Sequence, residues 1–537
     1  MAMISKGLST KGHRIHLLGN AIMKDSQYVK NFNATHSSWY LSNHEKYLQE
    51  IRFVLDDAVQ NGIGFAGFKL YYGVTHTTSH ECRDLFAHSD LLLQLKAENY
   101  DMIVMDIFLP CDALIARYLD KPFIAVTTTR EYHFFRASAF GFPSELSYVP
   151  EIFVGLTDKM TFFERLENVL LRFFQRFIFQ YFLLADARAI QKEQGIDIDT
   201  DILDIMGKAS LWISYSDLSL EYPQPTMPNY VRSGGMALKQ TLPLEQDLED
   251  FVQGSGDHGV IVFTLGSMVG SLPDHRKTEI IANVFSRLPQ RIIWRHTGEL
   301  PTNLGSNIKI MKWIPQNDLL GHAKTRLYIG HGGLNGVYEA LHNAVPMILM
   351  PVLAPDQKDT AARVVSKVMG LRLDSATITE ESFYEAIKEV LQNDKYRKNV
   401  ALNSAILRDM PPAKDRVVFW IEHVMKFGDE HLRAHVFELN LIQYYLVDVA
   451  VFLVLCIMGF ILGHVKTRLY IGHGGLNGVY EALYNAFPMI LMPVMAPDQK
   501  DTATRVVSKG MGLRLDSATI TEESFYEAIN EVLQTDT

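Results

Sequence analysis

Thr325-Arg326-Leu327-Tyr328-Ile329-Gly330-His331-Gly332-Gly333-Leu334-Asn335-Gly336 is the stretch on which the fold turns. An apolar, strand-like run from Thr325 to Ile329 breaks into glycines and resumes as a helical segment carrying Glu339. Glycines at such a turn let the backbone approach a ligand, and the next helix offers unpaired N–H groups and the positive end of its dipole to a diphosphate. Glu339, further along that helix, suits ribose hydroxyls. The turn alone fits equally a tight strand-to-helix connection whose glycines only serve packing. Its spacing is not G-x-G-x-x-G and no acid closes a second strand about 20 residues on, which argues against a dehydrogenase.

Outward from this turn, strand-like runs at Val260 to Thr264, Arg291 to Arg295, Ile308 to Trp313, Thr325 to Gly330, Pro346 to Val352 and Gly370 to Asp374 alternate with helical segments, the pattern of a doubly wound parallel sheet. The helix after them is expected to be capped by Thr379, with Glu380 and Glu381 in its first turn, and to end near Asn393. Lys239 to Asp257, polar and holding Pro243, Gly254 and Gly256, reads as an interdomain linker containing a short helix. Upstream, Asp101 to Met105, Cys111 to Leu119 and Pro122 to Thr127 read as strand, helix and strand. Asp106 then sits at the carboxyl end of a parallel strand, where such sheets gather ligand groups. The class is α/β, with one domain over 1–245 and a second over 246–440. The opening, Met1 to Lys11, is helical in flavour and lacks the basic and apolar segments of a secretory signal, so the reading begins inside a fold.

The chain has 537 residues, 47% of them hydrophobic and 21% charged, enough apolar material for more than one core and too much for a disordered scaffold. A net charge of -10 without a Lys/Arg cluster argues against nucleic acid as a partner. Cys82, Cys111 and Cys456 lie far apart with no metal-ligand spacing, so neither a disulfide framework nor a metal is expected. Asn33-Ala34-Thr35 fits an N-glycosylation acceptor if this part of the chain lies in a secretory lumen.

Two apolar segments stand out. Residues 158–182 intersperse Glu164, Arg165, Arg172 and Arg176 among Phe and Leu, a pattern shared by a helix lying on a membrane and by an ordinary core-packed helix. Residues 446–463 carry Asp448 as their one charge, a transmembrane candidate against the alternative of a buried core helix. Lys466 and Arg468 follow, which places the end of the chain in the cytosol and the bulk on the other side. Residues 321–394 then recur as 463–536 at an offset of 142 with eight substitutions over 74 positions, making 464–537 a partial repeat of 322–395. The second copy lacks the strands that precede the first, so its apolar faces are expected to join no complete sheet.

Read in order, Phe263-Thr264-Leu265-Gly266-Ser267-Met268, Trp294-Arg295, Trp313-Ile314-Pro315-Gln316-Asn317-Asp318, His331-Gly332-Gly333, Asn335, Glu339 and Asp356-Gln357 resemble the donor-binding segment of UDP-glucuronosyltransferases. The resemblance extends to Asp106-Ile107-Phe108-Leu109-Pro110-Cys111, to Leu156 through Thr161 and to Arg416 through Glu422, covering about residues 1 to 463. It implies two facing Rossmann-like domains of the glycosyltransferase-B type plus one C-terminal transmembrane helix over 446–463, anchored in the endoplasmic reticulum membrane with the catalytic domains lumenal. A UDP-sugar would be a co-substrate held by the second domain, with no cofactor and no metal, and a small lipophilic acceptor would be held by the first. Relatives of this type associate in membranes, so homo- or hetero-oligomers are also implied.

Carried over by resemblance, Trp313 would stack on uracil, Gln316 would bond base or ribose, and Glu339 would bind ribose hydroxyls. His331 with the Gly332 and Gly333 amides would hold the diphosphate, Asp356 and Gln357 would reach the sugar, and Arg295 would line the site along with Thr264, Gly266, Ser267 and Asn335. Asp106 matches the family's orienting acid. Its partner, the catalytic His, aligns a few residues ahead of Met1, and His13 matches a turn position. Gly330 replaces a hydroxyl residue, Asp359-Thr360 replaces Asp-Asn, and Pro355 reads as an insertion. A second reading is a non-catalytic membrane protein that retains the UDP-binding domain and associates with intact relatives.

Overall fold

The computed structural model describes residues 1–21, 24–25, 27–42, 64–106, 110–127, 139, 141–143, 145–267, 269–272, 274–352, 356–465 and 467–534. They form two compact units, Met1–Phe437 and Glu438–Thr537.

In the first unit, among the described residues, the strands β1 (His16–Asn20) and β2 (His36–Tyr40) pair in parallel, and β3 (Ile103–Asp106), β4 (Phe123–Thr127), β5 (Leu211–Ser214) and β6 (Tyr230–Arg232) make a separate four-stranded parallel sheet in that order. A six-stranded parallel sheet follows in the order β12-β11-β10-β7-β8-β9, from β7 (Val260–Thr264), β8 (Arg291–Arg295), β9 (Ile308–Met311), β10 (Thr325–Gly330), β11 (Met347–Leu349) and β12 (Gly370–Arg372). Helices run between consecutive strands except between β8 and β9, which a loop joins, and the chain winds outward from β7 in both directions so that the order switches between β7 and β10. A parallel sheet covered on both faces requires strands that are apolar throughout. β7, Val-Ile-Val-Phe-Thr, is buried at every position. One core cluster joins the two halves of the unit, with Ile124, Leu211 and Tyr215 packed in the same body as Tyr328, Tyr338 and Met347.

Thr379 caps the helix Glu380–Gln392 as expected, through a capping box with Ser382. The linker holds the short helix Gln246–Gln253. Cys82 and Cys111 correct the expectation of no disulfide: they are bonded, with Cα atoms 6.0 Å apart, joining the helices Gly64–Ala87 and Pro110–Leu119. A 29-residue separation says nothing of contact until two helices have been packed together. Among the described residues, no group of side chains is arranged to hold a metal.

The second unit holds the helix Val447–Val465 and a three-stranded parallel sheet of β13 (Tyr470–Gly472), β14 (Met489–Leu491) and β15 (Gly512–Arg514). Among the described residues no helix is long and apolar enough to cross a membrane. The expected span over 446–463 falls partly, from residue 459, on side chains outside those described. Up to that point its apolar residues are exposed, among them Phe452 at 64% and Leu455 at 64%.

Candidate functional site

The parallel register brings the carboxyl ends of β7, β8 and β10 to one edge, with Thr264 opposite Gly330 and Phe263 opposite Trp294. Past that edge β7 turns through Gly266, whose φ is +88° and whose Cβ, if it had one, would lie 2.5 Å from Cε1 and 2.7 Å from Nε2 of His331. Glycine is therefore the residue that lets the β7 loop close on this imidazole. Thr264 shapes the same turn, its buried hydroxyl accepting from the Gly266 amide at 3.1 Å. Arg295, at the end of β8, donates to the carbonyls of Gly266, Ser267 and Val269 and lies 5.5 Å over the ring of Trp313, itself 68% exposed. Ser267 faces solvent, and Met268 lies outside the described residues.

Burial, helped by the charge of Arg295, pulls the pKa of His331 down to about 4, so the ring is neutral at neutral pH. Its buried Nδ1 has no hydrogen-bond partner among the described residues. Gly332 (φ +92°) passes within reach of the backbone of Gln357, and Gly333 opens the helix Leu334–His342. That helix start has no side-chain cap and no acid in its first turn, so its leading N–H groups and the positive dipole end are unopposed. Gln316, at the start of the helix Gln316–Gly321, donates through Nε2 to Oε2 of Glu339 at 2.6 Å. Burial raises the pKa of Glu339, while the Gln316 bond and the charge of Lys239 oppose the rise. At Gly330 the hydroxyl group of Tyr328 fills the space a side chain would need, which is the physical reason for glycine there.

Two expected donor residues are engaged elsewhere. Asn335 accepts from the Tyr215 hydroxyl at 2.8 Å, across the two halves of the unit, and Gln357, 4% exposed, accepts from the Val352 amide at 3.0 Å. Asp356 opens the helix Asp356–Ser366, and the insertion at Pro355 lies outside the described residues.

In the first half, Asp106 ends β3 as expected, though Ile107 to Leu109 lie outside the described residues. Its charge acts on two neighbours: it helps burial hold the pKa of Asp112 well above the carboxylate range, together with Glu81, and it opposes the burial that lowers the Met1 ammonium. His13 bonds Glu422 at 3.0 Å, while His16 bonds Ser38 at 2.8 Å and Tyr100 at 2.6 Å.

Further bonds join the two halves. Asp359, 2% exposed, accepts from the amides of Phe153 at 2.6 Å and Gly155 at 2.8 Å, and Arg363 Nε donates to Glu221 at 2.6 Å with both side chains buried. Phe153 adopts a φ of +81°, the left-handed region. The sequence signal was at most the unusual Asp359-Thr360, since the partners lie 204 and 206 residues away.

The profile for the UDP-glucoronosyl and UDP-glucosyl transferases matches residues 1–462 and, a second time, 459–537. The chain belongs to that family. This UDP-glycosyltransferase is similar to UDP-glucuronosyltransferase 2C1 of Oryctolagus cuniculus, with 40% identity over 70% of this chain and 75% of that one. It is 34% identical to UDP-glucuronosyltransferase 2A3 of Mus musculus over 85% of this chain and 86% of that one. Among solved structures it resembles the kitacinnamycin glycotransferase (TM-score 0.53, 17% identity, 79% of this chain and 94% of that one) and the calicheamicin glycosyltransferase CalG4 (0.52, 16%, 79% and 94%). At that identity the likeness speaks for the glycosyltransferase-B-like α/β fold alone. As a member of the family, the UDP-glycosyltransferase is an enzyme that moves a sugar from a UDP-sugar to an acceptor.

Proposed function

We propose that this enzyme transfers a hexose, in the first instance glucuronic acid, to a hydroxyl of a small lipophilic acceptor by inverting displacement without a metal or cofactor. The observation that carries the reading is the uncapped start of the 334–342 helix, flanked by neutral His331 on one side and the Gln316–Glu339 pair on the other. In this reading the Gly332 and Gly333 amides and His331 hold the diphosphate, and Glu339 takes the ribose hydroxyls. The exposed face of Trp313 takes the uracil ring, and Asp356 reaches the sugar. Thr264, Gly266 and Arg295 shape the wall of the pocket, while Asn335 and Gln357 position the turn.

The acceptor oxygen loses its proton to a base and attacks the anomeric carbon from the face opposite UDP. The bond to the diphosphate breaks on the other side, and its developing charge meets the helix amides, which makes a metal unnecessary. A well-placed base contributes roughly 10² to 10⁴-fold. By resemblance that base is a His just ahead of residue 1, oriented by Asp106.

The reading also places the chain in the endoplasmic reticulum membrane as a single-pass protein, anchored by 446–463 with residues 1–437 lumenal. The exposed apolar side chains before residue 459 support the anchor, and the Cys82–Cys111 bond suits an oxidising compartment. The test is UDP-glucuronic acid turnover with phenols and steroids, in microsomes carrying residues 1–537 alone or preceded by a signal and a His-bearing strand. Activity in the extended form alone is expected. Equal activity in both would remove the assignment of the base, and silence in both with UDP still bound would favour the non-catalytic reading.

A further inference from the structure

The helix Phe162–Ile178 is amphipathic in the opposite sense from a packed surface helix, whose apolar stripe faces the core. Its polar side faces the protein. Asn168, fully buried, accepts from the Glu151 amide at 2.6 Å and donates to the carbonyls of Leu146 at 2.9 Å and Val149 at 3.0 Å. Gln175, 9% exposed, donates to Ile152 O at 3.2 Å, and Arg172 pairs with the buried carboxylate of Glu151. Thr161 and Glu164 close the amino end with a capping box.

These bonds fix the rotation of the helix, because rolling the stripe inward would turn Asn168 and Gln175 away and take these partners from the Glu151 amide and carboxylate and from the carbonyls of Leu146, Val149 and Ile152. The stripe Phe163, Leu166, Leu170, Phe173, Phe174 and Phe177 therefore points outward, each residue between 45% and 77% exposed. These positions share one face at helical spacing. Tyr181, 65% exposed in the wider turn Phe179–Leu183, continues it.

We propose that this stripe seats in the interfacial layer of a lipid bilayer, as a contact separate from the 446–463 segment and independent of the transfer chemistry. The charge along its edges selects lipid over a protein partner. The helix and its wider turn, 17 and 5 residues, make a continuous strip about 33 Å long at ~1.5 Å per residue. Lys159, Arg165 and Arg176 are exposed along the edges of that strip, while Glu164 is engaged in the cap and Glu167 is the other acid of the helix. Aromatic rings bordered by cations fit an anionic lipid surface.

The test uses the full chain with Cys456→Ser, so that a polarity-sensitive fluorophore can be attached through Phe173→Cys or, in a second preparation, Phe177→Cys. A control label is carried by Lys192→Cys on the helix Ala185–Glu193, an exposed site away from the stripe. In vesicles of phosphatidylcholine and phosphatidylserine, both stripe labels are expected to shift to the blue and to be quenched by a shallow nitroxide lipid, with the control unchanged. Omitting phosphatidylserine is expected to reduce the quenching, and undiminished quenching would overturn the part assigned to the cations. Stripe labels that stay solvent-like while the chain floats with the vesicles would overturn the proposal, as would failure to bind vesicles. A blue shift in detergent without lipid that grows with protein concentration would also overturn it, by showing that a second copy covers the stripe.

Discussion

Residues 321–394 and 463–536 agree at all but eight of 74 positions, and their backbones fold alike: Tyr328 pairs with Met347 as Tyr470 pairs with Met489. Gly332 and Gly474 turn at φ +92° and +86°, and Ala344 and Ala486 both take a φ of 55°. The surroundings differ. The first copy contributes three strands to a six-stranded sheet, while the second makes three strands by itself. Tyr338 is fully buried and Tyr480 is 64% exposed; Val352 is 6% exposed and Val494 is 65%. Glu339 receives Gln316, from a segment preceding the repeated stretch, and the second copy is preceded by no counterpart of Arg295, Trp313 or Gln316. Local sequence is thus sufficient for strand, turn and helix, and the site comes from the neighbours.

The largest expected break between the copies is in stability. Tyr338→Ala should cost about 3–5 kcal/mol, the range for emptying a buried aromatic position, whereas Tyr480→Ala should stay within ~0.5 kcal/mol. Denaturant unfolding followed separately for each unit measures both, and equal costs would mean that the second copy is packed like the first.

A pH titration comes next. His331 has its pKa depressed from 6.5 to about 4 in the folded state, so between those values the unfolded chain binds a proton that the folded chain does not. Its contribution to stability is complete above about pH 6.5 and is lost as the pH falls toward 4. His331→Asn should flatten the stability of the first unit over that window, and an unchanged slope would contradict the burial of this ring.

The smallest effect should be shared. Gly332→Ala and Gly474→Ala each force a side chain into positive φ, at about 1 kcal/mol, and place Cβ 3.1 Å and 3.0 Å from the carbonyls of Gln357 and Gln499. Similar losses in both would sharpen the view that this turn is a local property, and a loss in one alone would contradict it.

What sequence conveyed follows the same division. The limits of β7, β8 and β10 coincide with their strand-like runs, because β7 is buried throughout, β8 and β10 carry buried apolar stretches beside half-buried residues, and turn residues bound them. The His331-Gly332-Gly333 turn and Glu339 were legible because they lie within one strand-turn-helix unit. Contacts formed between distant segments were not: the Cys82–Cys111 bond, the grip of Asp359 on the 153–155 loop, and the Asn335–Tyr215 bond all depend on tertiary packing. The outward set of the 162–178 stripe is another case. Its spacing showed an amphipathic helix, while the direction it faces is decided by the carbonyls and the carboxylate that receive Asn168, Gln175 and Arg172.

The measurement that bears most directly on the account is a calorimetric titration of the full chain with UDP, repeated for Glu339→Gln and Glu481→Gln. One site per chain is predicted, weakened roughly 10- to 100-fold by Glu339→Gln, as suits a lost hydrogen bond to a charged group, and unaffected by Glu481→Gln. Two sites per chain, or a loss with Glu481→Gln as large as that with Glu339→Gln, would contradict the claim that the neighbours make the site.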